Sequence, residues 1–285
     1  MVSRSPYKSQ TIVDCIICLG LAACLFANGA IFAIASQEPI RIGHAASKIE
    51  IAEKIQPVDF QPLIDDWATK VGGEKSIVVY DLDLDQTAAT YNADKTYNIA
   101  SLYKLFVVYE GYRKIERGQW GEDKLRCLDL AIRESNSPCA ESLHAQMGRD
   151  TIQNIVENEL GFKNTRVASI ISNANDITKI MKLYYEHPDF SESTVEKIKD
   201  SMLNQPVTTY NWRQGLPSGF SSRVNVYDKV GWDWGGKTWN VYHDTAILEF
   251  PEINRHFIVT VLTQRIDHKK IAELGTRIEK LVLGE

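Results

Sequence analysis

Ser101 and Lys104 stand three residues apart in the stretch Tyr97-Asn98-Ile99-Ala100-Ser101-Leu102-Tyr103-Lys104. On a helix that spacing puts a hydroxyl and an amine on one face, about one turn from each other. A serine becomes a nucleophile when a base stands beside it, and a lysine desolvated in a packed cleft can serve as that base. Ser101 would lie at the helix N-terminus, where unpaired N–H groups and the dipole favour developing negative charge. Serine is also a common helix cap, so this pair alone does not define a site. Two further pieces give it company. Ala131-Ile132-Arg133-Glu134-Ser135-Asn136-Ser137-Pro138-Cys139-Ala140-Glu141 supplies a second serine between helical segments, and Lys229-Val230-Gly231 sets a lysine late on a strand just before a glycine.

The elements that must position these groups can be read from the hydrophobic pattern. Leu102, Leu105, Phe106, Val108 and Tyr109 recur at helical spacing and predict a helix over 101–116. A short helix is expected over 62–71. Lys75-Ser76-Ile77-Val78-Val79-Tyr80 reads as a strand, with Thr87–Tyr91 as its hairpin partner. The turn between them, Asp81-Leu82-Asp83-Leu84-Asp85, imitates a calcium loop, but Gln86 and Asn92 stand where glycine and glutamate are needed. From 101 to about 204 the pattern is helical. Three strand candidates follow (Val224–Val230, Val241–Phe250 and His256–Thr263), with a helix from about His268 to Val282 closing the chain. Strands, a helical block, then strands and a helix predict an α+β fold, its antiparallel sheet drawn from both ends beside a helical subdomain.

Composition narrows the function. The chain has 285 residues, 44% of them hydrophobic, and a net charge of −5. That gives no basic footprint for nucleic acid. Arg4 and Lys8 precede an uncharged run from Cys15 to Ala35, long enough to span a bilayer and closed by Ala33-Ile34-Ala35, a pattern suited to signal peptidase. Leu21-Ala22-Ala23-Cys24 resembles a lipidation box, although the apolar run continues past Cys24. Residues 1–36 therefore read as a signal peptide or membrane anchor, 37–58 as a linker and 59–285 as the domain. The domain is expected outside the cytoplasm, secreted or attached to a membrane through residues 15–35. Only Cys127 and Cys139 lie beyond the apolar run, and an even pair in an exported domain predicts a disulfide. No cysteine–histidine cluster is left for zinc, and no metal or cofactor is expected.

Taken together, the order S-x-x-K, S-x-polar, K-x-G resembles the penicillin-recognising serine enzymes, the class A β-lactamases and low-mass penicillin-binding peptidases. The resemblance spans about residues 60–285, including Arg213-Gln214-Gly215-Leu216-Pro217-Ser218-Gly219 and His243-Asp244. It implies Ser101 as the acylated nucleophile and Lys104 as the amine that takes its proton. Ser135 would relay a proton to the leaving nitrogen, Ser137 would face the substrate amide, and Lys229 would bind the substrate carboxylate. The backbone N–H groups of Ser101 and of Trp232, just after Gly231, would form the oxyanion hole. The implied substrate is a small β-lactam or a peptidoglycan stem peptide ending in D-Ala-D-Ala. Three positions depart from the pattern. Ser135-Asn136-Ser137 replaces Ser-Asp-Asn, Val230 replaces a hydroxyl residue, and Thr165–Asn175, where class A enzymes carry a water-activating glutamate, holds no carboxylate. Acylation is expected to outrun deacylation, and a non-catalytic binding protein on the same fold is the rival reading.

Two other motifs compete for attention. Gly231-Trp232-Asp233-Trp234-Gly235-Gly236-Lys237-Thr238 matches the P-loop pattern, but the next residues read as strand and only 47 remain. A Ser–His–Asp hydrolase lacks its nucleophile elbow, since Pro217 occupies the centre of Gly215–Gly219. His243 and Asp244 are adjacent, so a strand points them to opposite faces.

Overall fold

The structure, a computed structural model, describes residues 55–207, 210–233 and 240–285. The expected export segment, most of the linker and residues 234–238 of the P-loop-like stretch lie outside the described residues. Among those described, no helix is long and apolar enough to cross a membrane.

Helix α1 (Gln61–Lys70) leads into the hairpin of β1 (Glu74–Asp81) and β2 (Gln86–Tyr91). A short strand β3 (Thr96–Asn98) and a 3-10 turn (Ala100–Leu102) introduce α2 (Tyr103–Glu116). The helical block continues with α3 (Leu125–Arg133), α4 (Ser137–Met147) and α5 (Arg149–Asn154). Strand β4 (Ile171–Asn173) precedes α6 (Ala174–Glu186) and α7 (Glu192–Leu203). The chain then forms β5 (Asn225–Asp233), β6 (Val241–Phe250), β7 (Arg255–Gln264) and α8 (His268–Leu283).

The main sheet runs β2-β1-β7-β6-β5, with every neighbouring pair antiparallel. This is the expected α+β architecture, in which β1 meets β7 and so joins the two ends of the domain. Both faces of the sheet are covered, which is why its strands carry nearly continuous apolar runs. Side chains on successive strand residues point to opposite faces. Ile77 and Val79 thus pack with α1 and α8, around Phe60, Trp67, Ile271 and Ile278, while Val78 joins the helical block. In β7, Phe257, Val259 and Val261 lie on the α1–α8 side, and Ile258 and Leu262 on the other.

Helix α2 is the core of the helical block. Residues 103–113 are buried on every side, enclosed by α3, α4, α6 and the sheet. Its charged residues can be buried because they are partnered, Arg113 with Glu110 at 2.9 Å. It begins two residues later than the hydrophobic spacing predicts, because Ala100 takes a left-handed conformation (φ +44°). The Asn98 side chain accepts from the Ala100 N–H, 3.0 Å away, at this bend. Ser101 consequently sits in the 3-10 turn just ahead of the α-helix. Strands β3 and β4 were not anticipated, since three residues are too few to show alternation. They pair Tyr97 with Ser172 and fasten the approach to Ser101.

Candidate active site

The two buried amines come from opposite layers of the molecule. Lys104, in the first turn of α2, is fully buried, as is Lys229 on β5, the edge strand of the sheet. Lys104 Nζ lies 3.0 Å from Ser101 Oγ, 3.3 Å from Ser135 Oγ and 3.1 Å from Ser137 Oγ, and it donates to the Ser135 carbonyl. An ammonium has only three N–H donors, whereas four oxygens surround this nitrogen; as a neutral amine it would accept a hydroxyl proton from one of them. Burial pushes the Lys104 pKa down to about 8, with the negative charge of Glu141 acting in the opposite direction. Lys229 Nζ lies 2.9 Å from Ser135 Oγ and 3.0 Å from the Val230 carbonyl oxygen. Burial, reinforced by the like charge of Lys104, drives its pKa well down. The Ser135 hydroxyl therefore bridges the two amines.

Ser135 is held there by local geometry. It occupies the turn between α3 and α4 in a left-handed conformation (φ +53°). Asn136 caps α4, its side chain accepting from the Cys139 N–H at 2.9 Å. A Cys127–Cys139 disulfide ties α3 to α4 across this turn, as the cysteine count predicts. Ser137 opens α4, so all three serines lie within reach of one lysine.

The third motif meets the first through Gly231. A Cβ placed there would lie 2.4 Å from the Ile99 carbonyl oxygen and 2.8 Å from Leu102 Cγ. Only glycine lets β5 pass this close beneath the Ser101 turn. The indole of Trp232 packs instead among Trp212, Tyr242 and His268, stacked on the last at 5.8 Å. What Trp232 can offer the Ser101 turn is thus its backbone. Val230 is buried.

The stretch leading to the third motif buttresses β5 from behind. Arg213 donates to Asp228 Oδ1 at 2.8 Å, and Gln205 donates to the same atom at 3.0 Å. Asp244 Oδ2 accepts from the Leu216 N–H at 2.7 Å, and a Cβ on Gly215 would fall 2.1 Å from that oxygen. Burial pushes both carboxyls, Asp228 and Asp244, upward. His243 is structural: its Nδ1 accepts from the Thr263 N–H at 2.9 Å while Nε2 donates to the Asn98 carbonyl at 2.6 Å. Burial holds its pKa down to about 4, so the ring is neutral and both its nitrogens are occupied. The Ser–His–Asp alternative fails on that geometry. The P-loop alternative fails as well, because Gly231 to Asp233 belong to β5 and the described residues that follow the motif open strand β6 at Val241, where the pattern needs a helix.

The segment without a carboxylate folds back on itself. Arg166 and Ile171 bridge, with 2.8 Å between the Arg166 nitrogen and the Ile171 oxygen. Asp176, just beyond, accepts from the Asn164 N–H at 2.9 Å and the Thr165 hydroxyl at 3.0 Å. The carboxylate that does bear on Lys104 is one the motif spacing did not single out, Glu141 on α4. Its charge also raises the Tyr103 phenol, after burial, to about 12.

This arrangement of a buried serine–lysine pair, a bridging serine and a strand lysine on an α+β scaffold can be set beside known proteins. The chain belongs to the Beta-lactamase enzyme family, whose sequence model matches residues 59–126 and 122–283. No curated protein matches it in sequence. In structure it is similar to a class A β-lactamase representative from Bacteroides cellulosilyticus, with a TM-score of 0.66 at 14% identity over 84% of this chain and 99% of that one. An ancestral class A β-lactamase gives 0.66 at 15% identity, covering 79% of this chain and 99% of its own. PBP-A gives 0.66 at 14% identity, covering 79% and 96%. At these identities the likeness is one of fold.

Proposed function

We propose that the protein is a serine acyl-transfer hydrolase that forms an acyl-enzyme at Ser101 with β-lactams and releases it slowly. The observation that carries this reading is the buried Lys104 amine, held near neutrality and 3.0 Å from the Ser101 hydroxyl. In its neutral form Lys104 takes the Ser101 proton as Oγ attacks the strained amide carbonyl. The oxyanion that forms falls between the N–H groups of Ser101 and Trp232, where each donor contributes about 3 kcal/mol. Collapse breaks the carbon–nitrogen bond, and the leaving nitrogen takes a proton from the Ser135 hydroxyl, which Lys104 restores. Lys229, beside Ser135, binds the substrate carboxylate and keeps that hydroxyl polarised. No metal or cofactor enters these steps.

Hydrolysis needs a base to activate water, and the 165–175 segment offers none: the nearest carboxylate beyond it, Asp176, is engaged. A positioned base contributes about 10²–10⁴-fold, so deacylation should lag. The same lack favours a second reading, a D-Ala-D-Ala peptidase acting on peptidoglycan stem peptides outside the cytoplasm, as the expected exported or membrane-attached location would allow. Mass spectrometry after incubation with a panel of penicillins tests the proposal. An adduct should map to Ser101 and vanish in Ser101→Ala, which should fold normally. An adduct persisting in that variant would refute the site, and its absence from the native protein with every penicillin would leave a binding protein.

A further inference from the structure

We infer that the general base for releasing the Ser101 acyl group is Glu141, supplied by α4 and not by the 165–175 segment; this rests on the acyl-transfer reading above. Ser137, Glu141 and His144 recur at i, i+4 and i+7, which places them along one stripe of α4. Both ends of that stripe are anchored on the start of α2. At one end Ser137 Oγ lies 3.1 Å from Lys104 Nζ. At the other the His144 ring meets the Tyr103 ring, centroids 6.5 Å apart. Glu141 lies between these contacts, so the stripe carries it over the Tyr103–Lys104 segment. Its electrostatic effect on both of those side chains agrees with that placement.

Two further features suit the role. Glu141 is exposed, so water reaches it, and among the described residues it makes no hydrogen bond or ion pair that would occupy the carboxylate. By contrast Asp176 is fully buried and bonded to Asn164 and Thr165, and Glu157 and Glu159 are ion-paired to Arg166 and Arg113. In the deacylation step the Glu141 carboxylate takes a proton from water, whose oxygen bonds to the ester carbonyl carbon. The tetrahedral adduct collapses with loss of the Ser101 Oγ–carbon bond. Glu141 passes that proton through solvent to the neutral Lys104 amine, and Lys104 gives it to Oγ as the ester bond breaks. One water is consumed, one acid is released and the enzyme is restored. A base so solvated is weakly oriented, which agrees with slow release.

The test compares the native protein with Glu141→Gln and Glu141→Asp, using a chromogenic cephalosporin and following the adduct by mass. Glu141→Gln should still form the Ser101 adduct, but the adduct should persist about a hundredfold longer, the lower end of a positioned base's contribution. Glu141→Asp should recover part of the loss. Hydroxylamine, a nucleophile that needs no base, should clear the adduct from all three proteins at similar rates. A Glu141→Gln adduct that decays at the native rate would overturn the assignment and leave the acyl-enzyme reading intact. No adduct in the native protein would overturn both.

Discussion

At the scale of single residues, the proposed chemistry depends on how far burial shifts one amine. Lys104 has no carboxylate within ion-pairing distance among the described residues, and its surroundings offer only serine oxygens, so desolvation dominates. A lysine whose pKa falls to about 8 is mostly protonated at pH 6 and mostly neutral at pH 9. Only the neutral form can accept the Ser101 proton. The acylation rate, measured by stopped flow with substrate in excess, should therefore climb with pH and level off above about 8. Lys104→Met should remove nearly all acylation and the pH dependence with it. The folding linkage has the same direction. Because the folded pKa lies below the unfolded one, protonation favours the unfolded chain, and this residue destabilises the fold progressively as pH falls below about 10. A rate that declines between pH 6 and 9 would show that another group is the base. Ser101, Lys104, Ser135 and Lys229 were legible because their spacings lie along the chain. Glu141 was not, since the placement on which its proposed role rests arises only once α4 lies against the start of α2.

At the scale of elements, the site is a joint between the turn before α2, the α3–α4 corner and the edge strand β5. The corner carries a constraint of its own. Its tip, Ser135, holds a left-handed backbone, and the Cys127–Cys139 bond clamps the helices on either side. Closing a loop of this size is worth about 3 kcal/mol in the chain-entropy picture. Cys127→Ser with Cys139→Ser should lower stability by about that amount in urea denaturation. It should also slow acylation more than it weakens the binding of a non-reactive analogue, because Ser135 would be less well held between the two lysines. An unchanged midpoint would mean that helix packing alone fixes the corner. Strong patterns made most elements readable. Ile77-Val78-Val79 is apolar on both faces because both faces are covered, and α8 shows its buried stripe plainly at Ile271, Leu274 and Ile278. Strands β3 and β4 escaped notice, being too short to alternate, and the start of α2 was displaced by the left-handed Ala100, whose bend depends on Asn98.

At the scale of the whole molecule, two layers of helix cover one sheet, and each layer owns part of the site. Ser101, Lys104 and Ser135 belong to the helical block, whose contacts within 103–160 are mostly between neighbouring elements. Lys229 belongs to a sheet in which Ile77 pairs with Val261. That pairing has a temporal consequence. Contacts between distant parts of a chain form late, because the loop between them must be ordered before they are rewarded. The helical block can bring together Ser101, Lys104 and the disulfide early, whereas β1 has no partner on its inner edge until β7 arrives. On refolding from urea, helical circular dichroism should therefore return before the ability of Ser101 to be acylated, and coincident recovery of the two signals would contradict this order. Until β5 comes to lie beneath the Ser101 turn, the proposed oxyanion site lacks its Trp232 donor. On the proposed reading, that order of assembly would keep a nascent chain chemically silent.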